Sequence, residues 1–509
     1  MSSSKIVFKD YTPNQMMLLP PSLEELIEEN HPVRVVNDVI DRIDIAPLLG
    51  KYNPGGTSVY HPRMLLKVLI YAYLSNIYSS RKIEAALKEN VHFMWLAAMN
   101  KPDHNTIARF RSDRLKDVLR DIFTQVVKLL IEEGLVNIKN LYTDGTKIES
   151  VANRYTFVWG KAIKTNKEKI AKQLEELWDY TQKVAERDLD SEEKVDFKEI
   201  DSQKVSQTID KIDKALSGKK VAKKVKQKLN YAKKNWPGKL DEYEQKQEIL
   251  AGRNSYSKTD PDATFMRMKD DHMQNGQLKP GYNWQISTSS QYIVNYSIHP
   301  NPTDTLTLKP HLKQFEQQYD ALPENLCADA GYGSEENYKF IEQNNIGNYV
   351  KFNYFHKEQT KKWQNDPFKI SNLHYNEDTD TVYCPMGQAM HKIGERHRKT
   401  ASGYLQKISR YQAKNCQGCP LRPLCFKAKG NRIVEINHQL RESKQKVRKN
   451  LLSEQGIAHR KQRPADVEAV FGNIKHNKKF KRFMLKGNDK VSIETGLLAI
   501  AHNLAKKAA

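Results

Sequence analysis

The sequence predicts an α/β core that carries an all-α N-terminal domain and two insertions. Through residues 1–137, apolar residues recur at helical spacing. Beyond them, short apolar segments of strand character lead into Asp and Gly, and this pattern occurs twice. Two long stretches interrupt the pattern: residues 157–255 are rich in Lys, Glu and Gln, and residues 351–450 contain Cys and many basic side chains.

The 509-residue chain is strongly basic, with 83 Lys and Arg against 61 Asp and Glu and a formal net charge of +22. Such a surplus indicates a polyanionic partner, most often nucleic acid, although charge can also serve only to keep a protein in solution. We expect no membrane span, because the most apolar run, Met64 to Leu74, is short and contains Lys67.

The N-terminus and the cysteines indicate the cellular compartment. Residues 1–5 lack the apolar core of a signal peptide. Five cysteines in a chain of this length do not make a disulfide scaffold. We therefore expect a reducing, cytoplasmic location.

The N-terminal domain, residues 1–137, has the pattern of short helices with exposed arginines. One helix opens at His61 to Arg63, and another begins near Pro102 and carries Arg109 and Arg111. This arrangement is typical of a helix-turn-helix-like DNA reader. The alternative is a plain helical bundle whose arginines are solvated.

Two short strands lead into the same kind of segment. Residues 141–142 precede Asp144, and Gly145 allows the chain to turn directly after that carboxylate. Residues 326–328 precede Asp329, which glycines follow in the same way. An acidic residue at a strand end is a common metal ligand and also a common turn residue. The repetition favours a shared function.

Between these two segments the pattern predicts an antiparallel hairpin and a helix. Residues 282–288 and 292–298 alternate polar and apolar side chains, with Ser289 and Ser290 as the turn. The helix follows from about Thr305.

The first insertion, residues 157–255, predicts two or three long helices. Trp236, Pro237 and Gly238 interrupt the helical pattern. The charged faces of these helices are most simply explained as solvated.

The second insertion, residues 351–450, contains four of the five cysteines in an irregular spacing around one Cys-x-x-Cys. In a cytosolic protein this suits a structural tetrahedral zinc site. Free or redox-active thiols are the alternative. The four residues are Cys384, Cys416, Cys419 and Cys425.

Residues 463–475 predict one amphipathic helix with Pro464 in its first turn. Glu468 lies beside the apolar stripe, and Lys475 lies two turns further along the same side. A carboxylate and a cation held this way suit a metal ligand beside a phosphate contact. The alternative is an ordinary pair of surface charges.

The fold would thus supply three carboxylates, Asp144 and Asp329 from strands and Glu468 from a helix. Three such groups can bind two divalent ions, which clamp the attacking and the leaving oxygen of a phosphodiester. Oxygen ligands favour Mg²⁺ or Mn²⁺ over zinc.

These motifs resemble a known family. Thr143–Lys147, Ala328–Tyr332 and Glu468–Lys475 are similar to the three catalytic blocks of bacterial insertion-sequence DDE transposases. The stretches at 61–63 and 102–111 resemble the N-terminal domain of the same family, and the matches follow in the correct order. The resemblance implies an RNase H-like core, with a mixed sheet flanked by helices. It also implies Mg²⁺-dependent DNA cleavage and strand transfer, binding to terminal inverted repeats and target DNA, and bacterial nucleoid association.

The resemblance also implies roles for individual residues. Asp144, Asp329 and Glu468 would form the catalytic and metal-binding triad. Lys475, Arg482 and Arg463 would hold the DNA strand.

The match departs from the family around its last acid. Many members carry a tyrosine–arginine–glutamate–lysine signature there. In this chain Lys461 and Pro464 stand at the tyrosine and arginine positions, and Arg463 lies one residue further from Glu468.

We therefore predict a DNA transposase that acts as a homodimer on paired ends. Its catalytic core would join residues 138–156, 256–350 and 451–509. A non-catalytic DNA-binding protein derived from a transposase and a two-metal DNA nuclease are the alternatives. The intact triad argues against the former, and a strand-transfer product would exclude the latter.

Overall fold

The computed structural model of the protein describes residues 22–52, 59–184, 196–268 and 276–509. The expectation about a signal peptide concerns residues outside this description. The chain divides into two compact units, residues 1–126 with 497–509 and residues 127–496. The domain limits predicted from the sequence are finer than this division and stay predictions.

The described part of the first unit between residues 22 and 126 is helical. The helices here are α1 (Pro32–Arg42), α2 (Ala46–Leu49), α3 (Pro62–Leu74), α4 (Ser80–Glu89), α5 (Val91–Leu96), α6 (His104–Arg109) and α7 (Leu119–Glu132). At the start of α3 the His61 side chain accepts a hydrogen bond from the backbone N–H of Arg63. At the start of α6 Asp103 accepts one from Thr106. Both predicted helix starts are therefore confirmed.

The second unit is built on a mixed sheet of six strands. The first eight strands of the chain are β1 (Asn140–Glu149), β2 (Phe157–Trp159), β3 (Ser255–Ser257), β4 (Thr264–Arg267), β5 (Leu278–Ser289), β6 (Tyr292–His299), β7 (Asn325–Ala328) and β8 (Gly347–Val350). The sheet has the order β4-β5-β1-β7-β8, with β6 also paired to β5, while β2 and β3 pair separately. Strands β1, β7 and β8 are parallel, β5 is antiparallel to β1, and β5 and β6 form an antiparallel hairpin.

The hairpin is confirmed, with its turn one residue later than predicted. Ser289 is the last residue of β5, and Ser290 and Gln291 form the turn. Both turn residues have positive φ, 52° and 63°, as tight two-residue hairpins require. The buried carboxylate of Asp466 accepts the backbone N–H of Gln291 at 2.9 Å and so fixes the turn.

The described residues between 160 and 250 include three helices that share one apolar core, namely α8 (Gly160–Val184), α9 (Ser202–Leu216) and α10 (Lys223–Leu250). Helix α10 runs through Pro237, so the predicted interruption at Trp236 to Gly238 is wrong. Trp236 is 2 % exposed and packs in that core. This packing keeps the helix intact although proline cannot donate a backbone hydrogen bond.

A second, antiparallel sheet lies in the region of the four clustered cysteines and has the order β13-β12-β11-β10-β9. Its strands are β9 (Tyr375–Asn376), β10 (Thr381–Tyr383), β11 (Ala389–Lys399), β12 (Leu405–Ala413) and β13 (Ile433–Ile436). The helices between residues 308 and 452 are α11 (Leu308–Tyr319), α12 (Glu335–Gln343), α13 (Phe355–Glu358), α14 (Lys361–Gln364), α15 (Arg422–Cys425) and α16 (His438–Leu452). In the main sheet, α11 packs on β6, and α12 and α16 pack on β8.

The helix predicted from Arg463 begins nine residues earlier, at Glu454. Ser453 caps α17 (Glu454–Arg463) by accepting the N–H of Gly456. The helical path continues through a π turn (Pro464–Glu468), α18 (Ala469–Gly472) and a second π turn (Asn473–Asn477). The predicted apolar stripe is buried and consists of Val467, Val470, Phe471 and Ile474.

The last helix of the chain is α19 (Asn488–Lys507). The protein is thus a mixed helix and sheet structure, which confirms the predicted α/β class at this level. Among the described residues, we find no helix whose length and apolar character would allow it to cross a bilayer.

Candidate functional site

The register of the parallel strands brings Asp144 and Asp329 to one edge of the sheet. Thr143 on β1 pairs with Ala328 on β7, and this is the last pair between the two strands. Asp144 and Asp329 are the next residues of their strands. Since parallel strands end at the same edge, the two carboxylates lie beside each other.

Strand β1 does not end at Asp144, contrary to the prediction. It continues to Glu149 because β5 pairs with it along its other side. Gly145 therefore makes no turn. A Cβ atom at Gly145 would lie 2.1 Å from Gln285 Nε2 and 2.8 Å from Asp304 Oδ1. Glycine is needed here for close packing.

Arg463 connects the two aspartates to Glu468. Its Nη1 atom lies 2.9 Å from Glu468 Oε1 and 3.8 Å from Asp144 Oδ2, and its Nη2 atom lies 3.6 Å from Asp329 Oδ2. The Arg463 side chain is only 5 % exposed. Three carboxylates from two strands and one helix thus converge on a single buried cation.

The two aspartates differ in their electrostatic environment. Burial raises the pKa of Asp144 to about 6, against the opposing effects of the Arg463 charge and the Gly145 N–H. Burial also acts to raise the pKa of Asp329. The Ala330 N–H and the charges of Arg463 and Lys351 outweigh that effect, so the pKa of Asp329 lies below its ordinary value. One acid of the pair is therefore ionised more readily than the other.

The donor set suits a hard divalent ion, because all three side chains offer carboxylate oxygens. In the described part of the chain, however, we find no group of three or more His, Cys, Asp or Glu arranged to hold a metal ion. The positive charge among the three acids is that of Arg463.

Two residues that surround this site, Lys351 and Asp304, were not predicted from the sequence, and a third, Arg463, was predicted with a different role. Lys351 directly follows β8, and its Nζ lies 3.9 Å from Asp329 Oδ1. Asp304 follows β6 and contacts the backbone near Gly145. Arg463 was expected to hold DNA and instead lies among the acids. Asp144 and Asp329 were selected because they follow short predicted strands. Lys351 and Asp304 also follow strands, so the same criterion could have selected them.

Two residues of the second unit were predicted to contact DNA and lie outside the acidic cluster. Lys475 lies on the helical path that continues α17, and Arg482 lies near the end of β1. Lys475 is half-buried in the second π turn. Arg482 is exposed, and its guanidinium donates to the carbonyl oxygens of Ser150 and Ala152, just after β1. It also lies 3.9 Å from Glu149.

The two arginines predicted in the first unit differ in exposure. Arg109 is exposed at the end of α6. Arg111 is 4 % exposed, and its guanidinium donates to Tyr73 Oη, the Tyr78 carbonyl and Ser80 Oγ. This burial argues against a direct DNA contact by Arg111, because both terminal nitrogens of its guanidinium already donate hydrogen bonds within the fold.

The four cysteines of the second sheet region border one cavity of about 330 Å³. Arg432 contacts two of them: its backbone N–H donates to Cys416 Sγ at 3.3 Å, and its Nη1 donates to Cys425 Sγ at 2.9 Å. All five cysteines of the chain are free thiols. Among the residues that the structure describes, these cysteines do not form a group arranged to hold a metal ion.

Two protein families match the chain. The Transposase DDE domain family matches residues 383–508, and the Transposase domain family of unknown function 772 matches residues 21–113. The two matches, each to part of the chain, support the resemblance to insertion-sequence DDE transposases. No curated protein and no solved structure shows significant similarity to it.

The two matches differ in what they cover. The DDE match includes Glu468 and Arg463, whereas Asp144 and Asp329 precede it. The match at 21–113 includes Arg109 and Arg111. The assignment of the two aspartates therefore rests on the register and the contacts described above.

Proposed function

We propose that this transposase binds the terminal inverted repeats of an insertion sequence and catalyses metal-dependent DNA cleavage and strand transfer. The observation that carries the proposal is the convergence of Asp144, Asp329 and Glu468 on Arg463. Burial of a guanidinium is costly unless opposite charges surround it, so unrelated surface acids on separate elements would not be expected to share one.

Asp144, Asp329 and Glu468 would hold two Mg²⁺ or Mn²⁺ ions. When bound, the ions would lower the pKa of a water or a DNA 3′-hydroxyl and offset charge on the pentavalent transition state. Asp144 and Asp329 would hold their carboxylates in place because both follow paired strand residues. Arg463 would balance the three carboxylates before the ions enter.

The reaction would have two parts. Attack by water on the phosphodiester at the element's end would free a 3′-hydroxyl. That hydroxyl would then attack target DNA, joining the ends and releasing the target's own 3′-oxygen. Arg482 and Lys475, which lie near β1 and Glu468, would hold the strand by its phosphates.

The strand arrangement supports the expected RNase H-like core, since an antiparallel hairpin lies beside three parallel strands. In the first unit, Arg109 is the predicted DNA contact that is exposed. Two copies on paired ends remain our proposal for the active assembly, and the cytoplasm remains our proposal for its location.

A structural zinc ion at Cys384, Cys416, Cys419 and Cys425 is a second, separate proposal. It is supported by the shared cavity and by the donor chemistry, which suits tetrahedral zinc. The zinc content of the purified protein, measured by atomic absorption, tests it. One zinc per chain that is lost in Cys419→Ser supports the site, and a zinc-free protein excludes it.

Strand transfer tests the main proposal against its alternatives. A labelled inverted-repeat end is incubated with the protein, Mg²⁺ and a supercoiled target plasmid. Covalent joining of label to plasmid is expected. Cleavage without joining would favour a two-metal nuclease, and binding without either would favour a non-catalytic DNA-binding protein.

A further inference from the structure

Asp304 is an acidic residue that none of the proposed steps uses. It lies after β6, in a short 3₁₀ turn (Asp304–Leu306) that precedes α11. Its Oδ1 atom accepts two side-chain amide hydrogen bonds, from Asn283 Nδ2 at 2.8 Å and from Gln285 Nε2 at 3.0 Å. Both amides belong to β5 and are buried.

The Asp304 carboxylate lies against the backbone that follows each of the two catalytic aspartates. A Cβ atom at Gly145, the residue after Asp144, would lie 2.8 Å from Asp304 Oδ1. A Cβ atom at Gly331, two residues after Asp329, would lie 3.2 Å from Asp304 Oδ2. Only the absence of side chains at both glycines allows this close approach.

Hydrogen bonds connect the same residues into one network. Gln285 pairs with Gly145 across the β1–β5 ladder, and its side chain accepts a hydrogen bond from Tyr332 Oη. Thr305 Oγ1 donates to the Gly331 carbonyl at 2.9 Å. Asn337 Nδ2 donates to the carbonyls of Thr305 and Tyr332, at 2.9 Å and 2.8 Å.

The network therefore joins three chain segments: β1 at Gly145, the 3₁₀ turn at Asp304, and the loop after Asp329. Asp304 accepts a hydrogen bond from Gln285, the partner of Gly145 on β5, and its Oδ2 atom lies close to the position that a Cβ atom would take at Gly331. Displacement of its carboxylate would free the loop at Gly331 to move relative to β1.

We propose that Asp304 is a positioning residue for the reaction. Its carboxylate fixes the backbone after Asp144 and after Asp329, so that the two catalytic carboxylates keep their relative placement. This role rests on the proposed function and goes beyond it, because Asp304 would act through the backbone that carries the two aspartates. Residues that orient ligands in this indirect way typically change activity or metal affinity about 10- to 100-fold when lost.

The test compares Asp304→Ala, Asp304→Asn and Thr303→Ala. Asn offers an oxygen of the same shape to the two amides, and the exposed side chain of Thr303 serves as the control in the same segment. Three quantities are measured: kcat and KM for Mg²⁺-dependent nicking of an inverted-repeat end, the melting temperature in EDTA, and its increase on addition of Mn²⁺.

We expect Asp304→Ala to lower kcat about 10- to 100-fold with little change in KM for DNA, and to reduce the Mn²⁺-induced rise in melting temperature. Asp304→Asn should recover most of the lost kcat, and Thr303→Ala should match the wild type. Wild-type kcat in Asp304→Ala would overturn the proposal. An equal loss of kcat in Asp304→Asn and Asp304→Ala would also overturn the proposal, because the hydrogen-bond acceptor at position 304 would then not account for the effect.

A failure of the proposed function gives a different result. If the wild type binds Mn²⁺ but nicks no DNA, the transposase reaction fails, while a smaller Mn²⁺ effect in Asp304→Ala still supports positioning of the acids. If wild type and Asp304→Ala respond to Mn²⁺ equally, the positioning role is excluded whether or not DNA is cut.

Discussion

Arg463 donates a hydrogen bond from Nη1 to Oε1 of Glu468, at 2.9 Å, although the two residues are five positions apart. In a regular α-helix, residues three and four apart share a face. Here the π turn from Pro464 to Glu468 intervenes, and its backbone bond runs from the Ala469 N–H to the Pro464 carbonyl. A π turn contains one more residue than an α turn, so it brings position five onto the same face.

This geometry explains the departure from the family signature. The resemblance described above implies an arginine at the position of Pro464, and in this chain Arg463 lies one residue earlier. The additional residue of the π turn compensates for that displacement. Arg463 thereby reaches Glu468 and the two aspartates from an unexpected sequence position.

Replacement of Arg463 by Ala should destabilise the metal-free protein. Three carboxylates would lose their shared cation, and we expect the free energy of unfolding in EDTA to fall by about 1–3 kcal/mol, because the acids are partly exposed and can rehydrate. Urea unfolding with EDTA and with Mn²⁺ measures this, and Mn²⁺ should restore more stability to Arg463→Ala than to the wild type.

The matched control is Lys461→Ala, an exposed cation on the same helix whose removal should change stability by less than about 0.5 kcal/mol. Equal stability of Arg463→Ala and the wild type in EDTA would show that the guanidinium is not needed to balance the acids.

Asp144 should make the stability of the metal-free protein depend on pH. Its pKa rises from 3.8 to about 6 on folding, so the folded protein binds the proton more tightly than the unfolded chain. The contribution of Asp144 to stability therefore falls as pH increases from about 4 to about 6, by at most about 3 kcal/mol. Asp144→Asn removes this dependence.

The measurement is urea unfolding of both proteins in EDTA between pH 4 and pH 7. The stability of Asp144→Asn relative to the wild type should increase across that range. A difference that does not change with pH would contradict the burial of an ionisable group at position 144.

Gly145→Ala should be strongly destabilising. The new methyl group would lie 2.1 Å from Gln285 Nε2, and Gln285 cannot move away easily because it is buried and bonded to Asn283, Asp304 and Tyr332. We expect a loss of about 1–3 kcal/mol in the free energy of unfolding.

Gly238→Ala is the control, because a Cβ atom there meets nothing within 4 Å and the residue lies inside α10. It should leave stability unchanged or increase it by up to about 1 kcal/mol. A stable Gly145→Ala protein would show that β1 and Gln285 are less tightly packed than described.

Asp329→Asn should retain DNA binding and lose cleavage. Asn preserves the shape of the side chain but removes the charge that a divalent ion needs, and we expect the nicking rate to fall by at least about 1,000-fold. Gel-shift binding and denaturing-gel cleavage are measured on the same labelled end. Metal-dependent cleavage at the wild-type rate would remove Asp329 from the mechanism.

Parts of the site could be predicted from the sequence because strand ends follow simple rules. Asp144 and Asp329 each follow a short apolar strand, and parallel strands end at one edge. Glu468 was proposed as a third carboxylate from its place on an amphipathic helix, but periodicity does not show where a distant helix docks, and the family resemblance supported the grouping. The buried apolar stripe beside Glu468 was predicted correctly from the helical spacing of its residues.

Other features depend on tertiary contacts that no local pattern contains. Strand β1 extends past Asp144 because β5 pairs with it. Helix α10 continues through Pro237 because Trp236 is anchored in a core. Arg111 looked like a surface cation and is buried, because Tyr73, Tyr78 and Ser80 supply its acceptors.

The most direct test of the account is metal-dependent nicking of a labelled inverted-repeat end, taken from the DNA that flanks the coding sequence. Purified wild type and Glu468→Gln are incubated with Mg²⁺ or with EDTA, and the products are resolved on a denaturing gel. The account predicts a nick at the end with wild type and Mg²⁺, and no nick with EDTA or with Glu468→Gln. Binding of the end without cleavage in either Mg²⁺ or Mn²⁺ would contradict the catalytic role of the triad and favour a non-catalytic DNA-binding protein.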